Sequence, residues 1–129
     1  MVPVPTSHEN ILTARSFANV ATVDGDGVPQ VTPVWFSTKN EYILINSAAG
    51  RKKDRNLRRN PAVALSIQDP ADPYRYLGIQ GVVVEITEEG AEAHIHALAQ
   101  KYWGRPFDLP PGQTRVIYKI KPLSVWTEA

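Results

Sequence analysis

The sequence contains no cysteine. That absence removes disulfides, thiolate nucleophiles, cysteine-ligated zinc and iron–sulfur clusters together, so redox chemistry here requires a bound organic cofactor. Long apolar runs are missing too: no segment approaches the roughly 20 residues of a membrane span, and the opening MVPVPTSHEN resembles no signal peptide. A cytoplasmic protein without a membrane partner is expected. The net charge is only +1, too small for a strong global field, so contact with nucleic acid would need a local cluster and is not expected from bulk charge. Neither a Gly-x-Ser-x-Gly elbow nor a Walker-type loop is present, which removes the serine-hydrolase and nucleoside-triphosphatase readings. His94 and His96 lie two apart on an expected helix and face different ways, so they read as structural or surface residues and no metal site is expected.

What is present suits one globular domain spanning residues 1–129. With 43% apolar and 21% charged residues and no low-complexity stretch, a chain of this length buries about two-thirds of its unfolded surface. Thr6 and Glu9 have capping-box spacing ahead of Ile11 and Leu12, predicting a short helix over about 7–16. From Phe17 the chain turns β-rich: ANVATVD, the glycine turn at 25–27, VPQVTPVWFS as one strand, then EYILIN with Tyr42, Leu44 and Asn46 on one side and Ile43 and Ile45 on the other. RKKDRNLRRN predicts a helix that stops before Pro61. AVALSIQD is the next strand, DPADPY an exposed connection, and YRYLGIQGVVVEI a long central strand in which Gly78 and Gly81 suggest a bulge or a close backbone approach. Thr87 is placed as the cap of a second long helix that has Glu88 and Glu89 in its first turn and ends at Gly104. After a proline-rich loop, TRVIYKIKP gives the last strand before a short tail. Six strands joined mostly by hairpins favour a mainly β, antiparallel barrel over a doubly wound sheet.

The main chemical signal is basic. Arg51, Lys52, Lys53, Arg55, Arg58 and Arg59 fall within nine positions beside one acid, Asp54. Three of these cations sit in the first turn of the expected helix, where the macrodipole disfavours each by about 0.3–1 kcal/mol. An anion held by the free N–H groups of that turn and by Arg51 and Lys53 offsets the cost, and Ser47 to Gly50 are small enough to let a phosphate approach. Lys52, Arg58 and Arg59 read more simply as a solvated helix face. Trp35 and Phe36 read as core aromatics unless their context assigns them to a ligand.

The segments ATVDGDGVPQVTPVWF, ILINSAAGRKKDRNLRRNPAVALSIQDP and YRYLGIQGVVVEITEEGAEAHIHALAQKYWG together resemble the pyridoxamine 5'-phosphate oxidase-like FMN-binding split-barrel superfamily. More narrowly, they resemble its actinobacterial-type deazaflavin reductases, which use coenzyme F-420. The likeness runs from about residue 8 to 122, and the stretch Arg51 to Pro61 is its most specific part. It implies a six-stranded antiparallel split β-barrel of Greek-key type and a homodimer with the cofactor at the subunit interface. It also implies an oxidoreductase that passes a hydride from reduced F-420 to an unsaturated small-molecule substrate. By the same resemblance Arg51 and Lys53 hold the cofactor phosphate, Ser47 and Ala48 approach it, and Asn56 orients the ring or ribityl chain. Pro33, Val34 and Trp35 line the ring plane, and Gln80 contacts it from the second subunit. No catalytic side chain is implied, although Tyr74, Arg75 and Tyr76 are near enough in sequence to be weighed for the substrate side. The chain ends without the Arg-x-His segment of pyridoxamine phosphate oxidase, which argues against vitamin B6 oxidation. The alternatives are an FMN-binding oxidase or flavin reductase of the same fold, a non-catalytic cofactor carrier, and a nucleic-acid-binding module.

Overall fold

The computed structural model describes residues 2–129 and shows a single antiparallel sheet curled into a half-barrel, with helices at its openings. Seven strands form it: β1 (Ala18–Val23), β2 (Pro29–Val34), β3 (Phe36–Lys39), β4 (Tyr42–Ala48), β5 (Ala62–Asp69), β6 (Asp72–Thr87) and β7 (Arg115–Glu128). Their order across the sheet is β2-β1-β5-β6-β7-β4-β3. β2 and β3 therefore stand at opposite ends of the sheet, yet only Trp35 separates them in sequence. One residue spans about 7 Å between its neighbours' Cα atoms at most, so the sheet has to curl until its two edges nearly meet.

That geometry explains the first departure from the sequence reading. VPQVTPVWFS reads as one strand in sequence, but it breaks at Trp35: β2 pairs with β1, while Phe36 leaves for the core and pairs with Ile45 of β4. Hence seven strands replace six. The second departure is the tail, which continues β7 to Glu128 and pairs Trp126 with Gly78 and Glu128 with Tyr76. The connection expected at DPADPY shrinks to a tight turn at residues 70–71, because Asp72 to Tyr74 join β6.

Alternation sets the core. Ile43 and Ile45 of β4, Val63, Leu65 and Ile67 of β5, Leu77 and Ile79 of β6, and Tyr118 and Ile120 of β7 project into one cluster with Val20, Phe36 and Leu57. Gly78 lies under the indole of Trp126, and Gly81 sits at a register shift where a Cβ would be 2.7 Å from the Lys121 carbonyl oxygen. Both a bulge and close approaches thus occur where the two glycines suggested one or the other.

The helices are α1 (Glu9–Thr13), α2 (Lys52–Arg59) and α3 (Ala91–Trp103). α1 is shorter than 7–16. Thr6 to His8 form a 3-10 turn with no side-chain cap, and the chain is extended again at Ala14, with the buried Ser16 hydroxyl donating to the Ile11 carbonyl. α3 starts three residues later than Thr87 would place it. Thr87 stays in the sheet opposite Ile117, and Gly90, at φ 74°, starts the helix instead. α2 joins β4 to β5 and buries Asp54, Asn56 and Leu57 against β1 and β4; α3 joins β6 to β7 and lies over β4 and β7. Among the described residues no helix is long and apolar enough to cross a membrane.

Candidate functional site

A cavity of about 430 Å³ opens where the end of β2, the C-terminal part of β4, the start of α2, α3 and the start of β7 converge. Its two ends differ in chemistry. Arg51, Lys52, Lys53 and Arg115 line one, and Phe17, Trp35, Trp103 and Phe107 line the other, with Ile95 and Leu98 of α3 as the floor.

The cationic end is built around the turn from β4 into α2. Arg51 is the N-terminal boundary residue of α2, no side chain caps the helix, and the first-turn N–H groups lack the partners that the helix interior provides. Asp54 offsets part of the crowding of positive charge, since its buried carboxylate accepts the Gly50 N–H at 2.8 Å and the Arg58 Nε at 3.0 Å. It faces away from the cavity lining, however, and among the described residues no acid pairs with Arg51, Lys53 or Arg115. Burial pulls the Lys53 ammonium below the ordinary lysine range, and Arg51 and then Arg115 add like-charge repulsion. Burial likewise lowers the Arg115 pKa, with Arg51 adding to it. An exposed Arg51, a half-buried Lys53 and a buried Arg115 that repel each other and have no acidic partner among the described residues are chemically suited to an anion.

The aromatic end comes from the joint between β2 and β3. Trp35 stacks on Tyr102 at 5.3 Å between ring centres and meets Trp103 edge-on at 4.5 Å; Trp103 in turn stacks on Phe107 at 5.8 Å. Such flat apolar walls suit a planar ring. β2 also lends Gln30 and Thr32 to the lining, and Thr32 Oγ1 is a buried polar atom with no partner among the described residues. An unpaired buried hydroxyl costs roughly 1–3 kcal/mol, so the site is prepared for a polar ligand edge at that point.

The fold gathers Arg51, Lys53, Ser47, Pro33, Val34 and Trp35 at this cavity. Ala48 is buried one residue beyond Ser47 and does not line it. Asn56 is buried and turned inward, donating from Nδ2 to Thr22 Oγ1 at 3.1 Å, and it borders a neighbouring depression with Asp24, Arg55 and Arg59. Gln80 is exposed on β6, away from the cavity of its own chain. Arg75 is occupied by Asp69 at 3.1 Å and by the Ser7 carbonyl, and Tyr74 and Tyr76 also lie outside the lining.

The sequence reading missed Arg115, Asn46, Thr32, Gln30, Trp103 and Phe107. Arg115 stands some sixty residues from the basic run, beside no other cation, and only strand pairing of Ala48 with Arg115 brings it there. Phe107 could have been noticed as an aromatic residue in a proline-rich loop. Of the two histidines, His96 Nδ1 accepts the Phe107 N–H at 3.2 Å, and His94 is held between Ser37 and Asn46 behind the cavity wall. Among the described residues no group of three His, Asp or Glu is placed to hold a metal ion.

Comparison with known proteins agrees with this architecture. An F420 reductase superposes with a TM-score of 0.86 at 36% identity, covering 95% of this chain and 98% of that one. A conserved hypothetical protein of Mycobacterium tuberculosis gives 0.79 at 22% identity, covering 99% of this chain and 86% of its own. HutZ, the haem storage protein of Vibrio cholerae, gives 0.75 at 20%, covering 98% and 96%. The last two share the fold alone. No curated protein matches by sequence. The family model for pyridoxamine 5'-phosphate oxidase matches residues 4–129, which takes in every strand of the half-barrel and the whole cavity, and the chain belongs to that family.

Proposed function

We propose that this protein is a coenzyme F-420-dependent reductase that transfers a hydride to an unsaturated organic substrate. The observation that carries the reading is the division of one cavity into an uncompensated cationic end and an aromatic end, with the orphan Thr32 hydroxyl in its lining. A molecule with a phosphate, a polar linker and a planar ring satisfies all three features. The deazaflavin supplies the hydride when bound.

The chain's own residues bind, orient and exclude water. Arg51, Lys53 and Arg115, with the N–H groups at the start of α2, hold the phosphate. Ser47 offers a small surface beside it, and Thr32 and Gln30 meet the polar edge of the linker or ring. Trp35, Trp103 and Phe107 keep the ring pocket dry, which strengthens every polar contact made inside it. The lining contains no Asp, Glu, His or Tyr, and no side chain is assigned as the donor of the proton that completes the reduction. The family also includes FMN proteins, and the phosphate site alone serves either cofactor. Two features favour F-420: the 36% identity to an F420 reductase, and the row Lys52, Arg55 and Arg59 bordering the neighbouring depression, a suitable track for an anionic oligoglutamate tail. Exposed Phe17 and Trp103 at the rim suit closure by a second copy of the chain, with Gln80 available to the partner's cavity.

Titration of the purified protein with F-420 and, separately, with FMN at fixed salt, followed by fluorescence, tests the assignment. A preference for F-420 of tenfold or more, about 1.4 kcal/mol, is expected. A preference for FMN moves the protein to the flavin branch of the family.

A further inference from the structure

Behind the cationic end runs a chain of four side chains drawn from four elements. Arg115 of β7 donates from Nε to Asn46 Oδ1 at 2.9 Å. The Asn46 Nδ2 of β4 donates both of its protons, to the Ala91 carbonyl at 3.0 Å and to His94 Nδ1 of α3 at 3.0 Å. His94 Nε2 lies 2.9 Å from Ser37 Oγ of β3.

The directions of these bonds follow from one another. Arg115 has only donors, so it requires the oxygen of Asn46, and the Asn46 amide is thereby oriented with its nitrogen toward Ala91 and His94. His94 Nδ1 must then carry a lone pair, which puts the ring proton on Nε2, where it is donated to the Ser37 hydroxyl. Burial, with Arg115 second, lowers the His94 pKa to about 4, in keeping with a neutral ring. The far end of the chain reaches the ligand side. Arg115 is 5% exposed, its Nη1 donates to Gln113 Oε1 at 2.8 Å, and its Nη2 has no partner among the described residues. Its guanidinium lies 5.1 Å from the Phe107 ring centre, where the two ends of the cavity meet.

We propose that His94 is a positioning residue for the anion site: as a hydrogen-bond acceptor it locks the Asn46 amide, which in turn aims the Arg115 guanidinium into the cavity. The proposal rests on the reading of that cavity as the seat of the cofactor phosphate. Without the Nδ1 acceptor the nitrogen side of the Asn46 amide keeps only the Ala91 carbonyl, so the amide is held at one point instead of two and the Arg115 guanidinium that leans on its oxygen is aimed less firmly.

Three variants separate this role from simple packing. His94→Phe keeps a ring but removes the acceptor, His94→Asn keeps an acceptor near the position of Nδ1, and Ser37→Ala removes only the group that holds Nε2. Two readouts are needed. One is the Arg115 Nε–H signal in a proton–nitrogen correlation spectrum of the ligand-free protein, assigned by its loss in Arg115→Lys; it reports the lock without any cofactor. The other is F-420 affinity by fluorescence titration. In the wild type the Nε–H signal is sharp and slow to exchange, and His94→Asn retains it. His94→Phe broadens it and weakens F-420 binding about tenfold, the size of one lost charge-assisted hydrogen bond, while Ser37→Ala lies between. An unchanged Nε–H signal and unchanged affinity in His94→Phe would overturn the proposal, as would a His94→Asn protein as impaired as His94→Phe. If the wild type failed to bind F-420 or FMN, the functional reading would fall, whereas the Nε–H signal would still decide whether His94 locks Arg115.

Discussion

Tyr118 donates its hydroxyl proton to Asp54 across 2.6 Å, tying the first part of β7 to the first turn of α2. The tyrosine is fully buried and the carboxylate is 3% exposed. Burial acts to raise the Asp54 pKa, but the Gly50 N–H, Tyr118 and Arg58 together win and hold it below the ordinary carboxylate value. Burial, and then the same contact, raises the Tyr118 pKa. One buried carboxylate therefore fixes the start of α2, on which Arg51 and Lys53 stand.

Asp54→Ala is expected to lose about 3 kcal/mol of stability, since it strands the Tyr118 hydroxyl in the interior and removes the acceptor shared by the Gly50 N–H and Arg58. Tyr118→Phe should cost about 1–2 kcal/mol. Denaturant unfolding of both single variants and the double variant measures the coupling; strictly additive losses would show that the two residues do not act together.

The two strand glycines should differ in cost. A Cβ at Gly81 meets backbone, the Lys121 carbonyl oxygen at 2.7 Å, and the sheet must distort. At Gly78 it meets the Trp126 ring at 2.1 Å, and that side chain is 43% exposed and can swing away. Gly81→Ala is expected to cost about 2–3 kcal/mol and Gly78→Ala less, with Trp126→Ala relieving only the second. Thermal unfolding of wild type, the three single variants and each glycine variant combined with Trp126→Ala checks the order.

Stability should fall with acid in a window set by His94. Its folded pKa of about 4 lies below the ordinary 6.5, so the unfolded chain binds the proton more tightly. The neutral, buried ring contributes fully above pH 6.5, and the contribution is lost as pH drops toward 4, at about 1.4 kcal/mol per unit and about 3 kcal/mol in all. Asp54 acts lower, because its depressed pKa makes stability fall only below the usual 3.8. Unfolding free energies of wild type and His94→Asn between pH 7 and 4 test this: the slope in the window should disappear in the variant.

Loss of cofactor affinity should follow the cations that line the cavity and not the basic run as a whole. Arg51→Ala combined with Lys53→Ala is expected to weaken F-420 binding by roughly 2–5 kcal/mol, and Arg115→Ala alone by about 2 kcal/mol. Arg58→Ala, whose guanidinium serves Asp54 outside the cavity, should leave binding within about 0.5 kcal/mol of wild type. Equal losses in all three proteins would mean a diffuse electrostatic effect and no defined phosphate site.

Local chemistry was legible in the chain itself. The alternation of Ile43 and Ile45, the glycines at 78 and 81, the stop before Pro61 and the basic run at Arg51 to Arg59 each carry their own physical reason. So do the end of α3 at Gly104, where φ is 76°, and the absence of cysteine. The boundary errors have physical causes as well. Trp35 has good strand propensity and splits a strand only because the sheet closes there, and Thr87 could cap a helix but is kept in the sheet by its pairing with β7.

The sequence by itself determined a mainly β chain with a basic, phosphate-suited helix start, because those features depend on neighbours within a few residues. Tertiary structure alone decided that Arg115 joins Arg51 and Lys53, that Trp103 and Phe107 face Trp35, and that Asn56 turns inward to Thr22. These groups are separated by tens of residues, and only the curling of one sheet, driven by strand twist and by burial of its inner face, brings them within reach of one ligand.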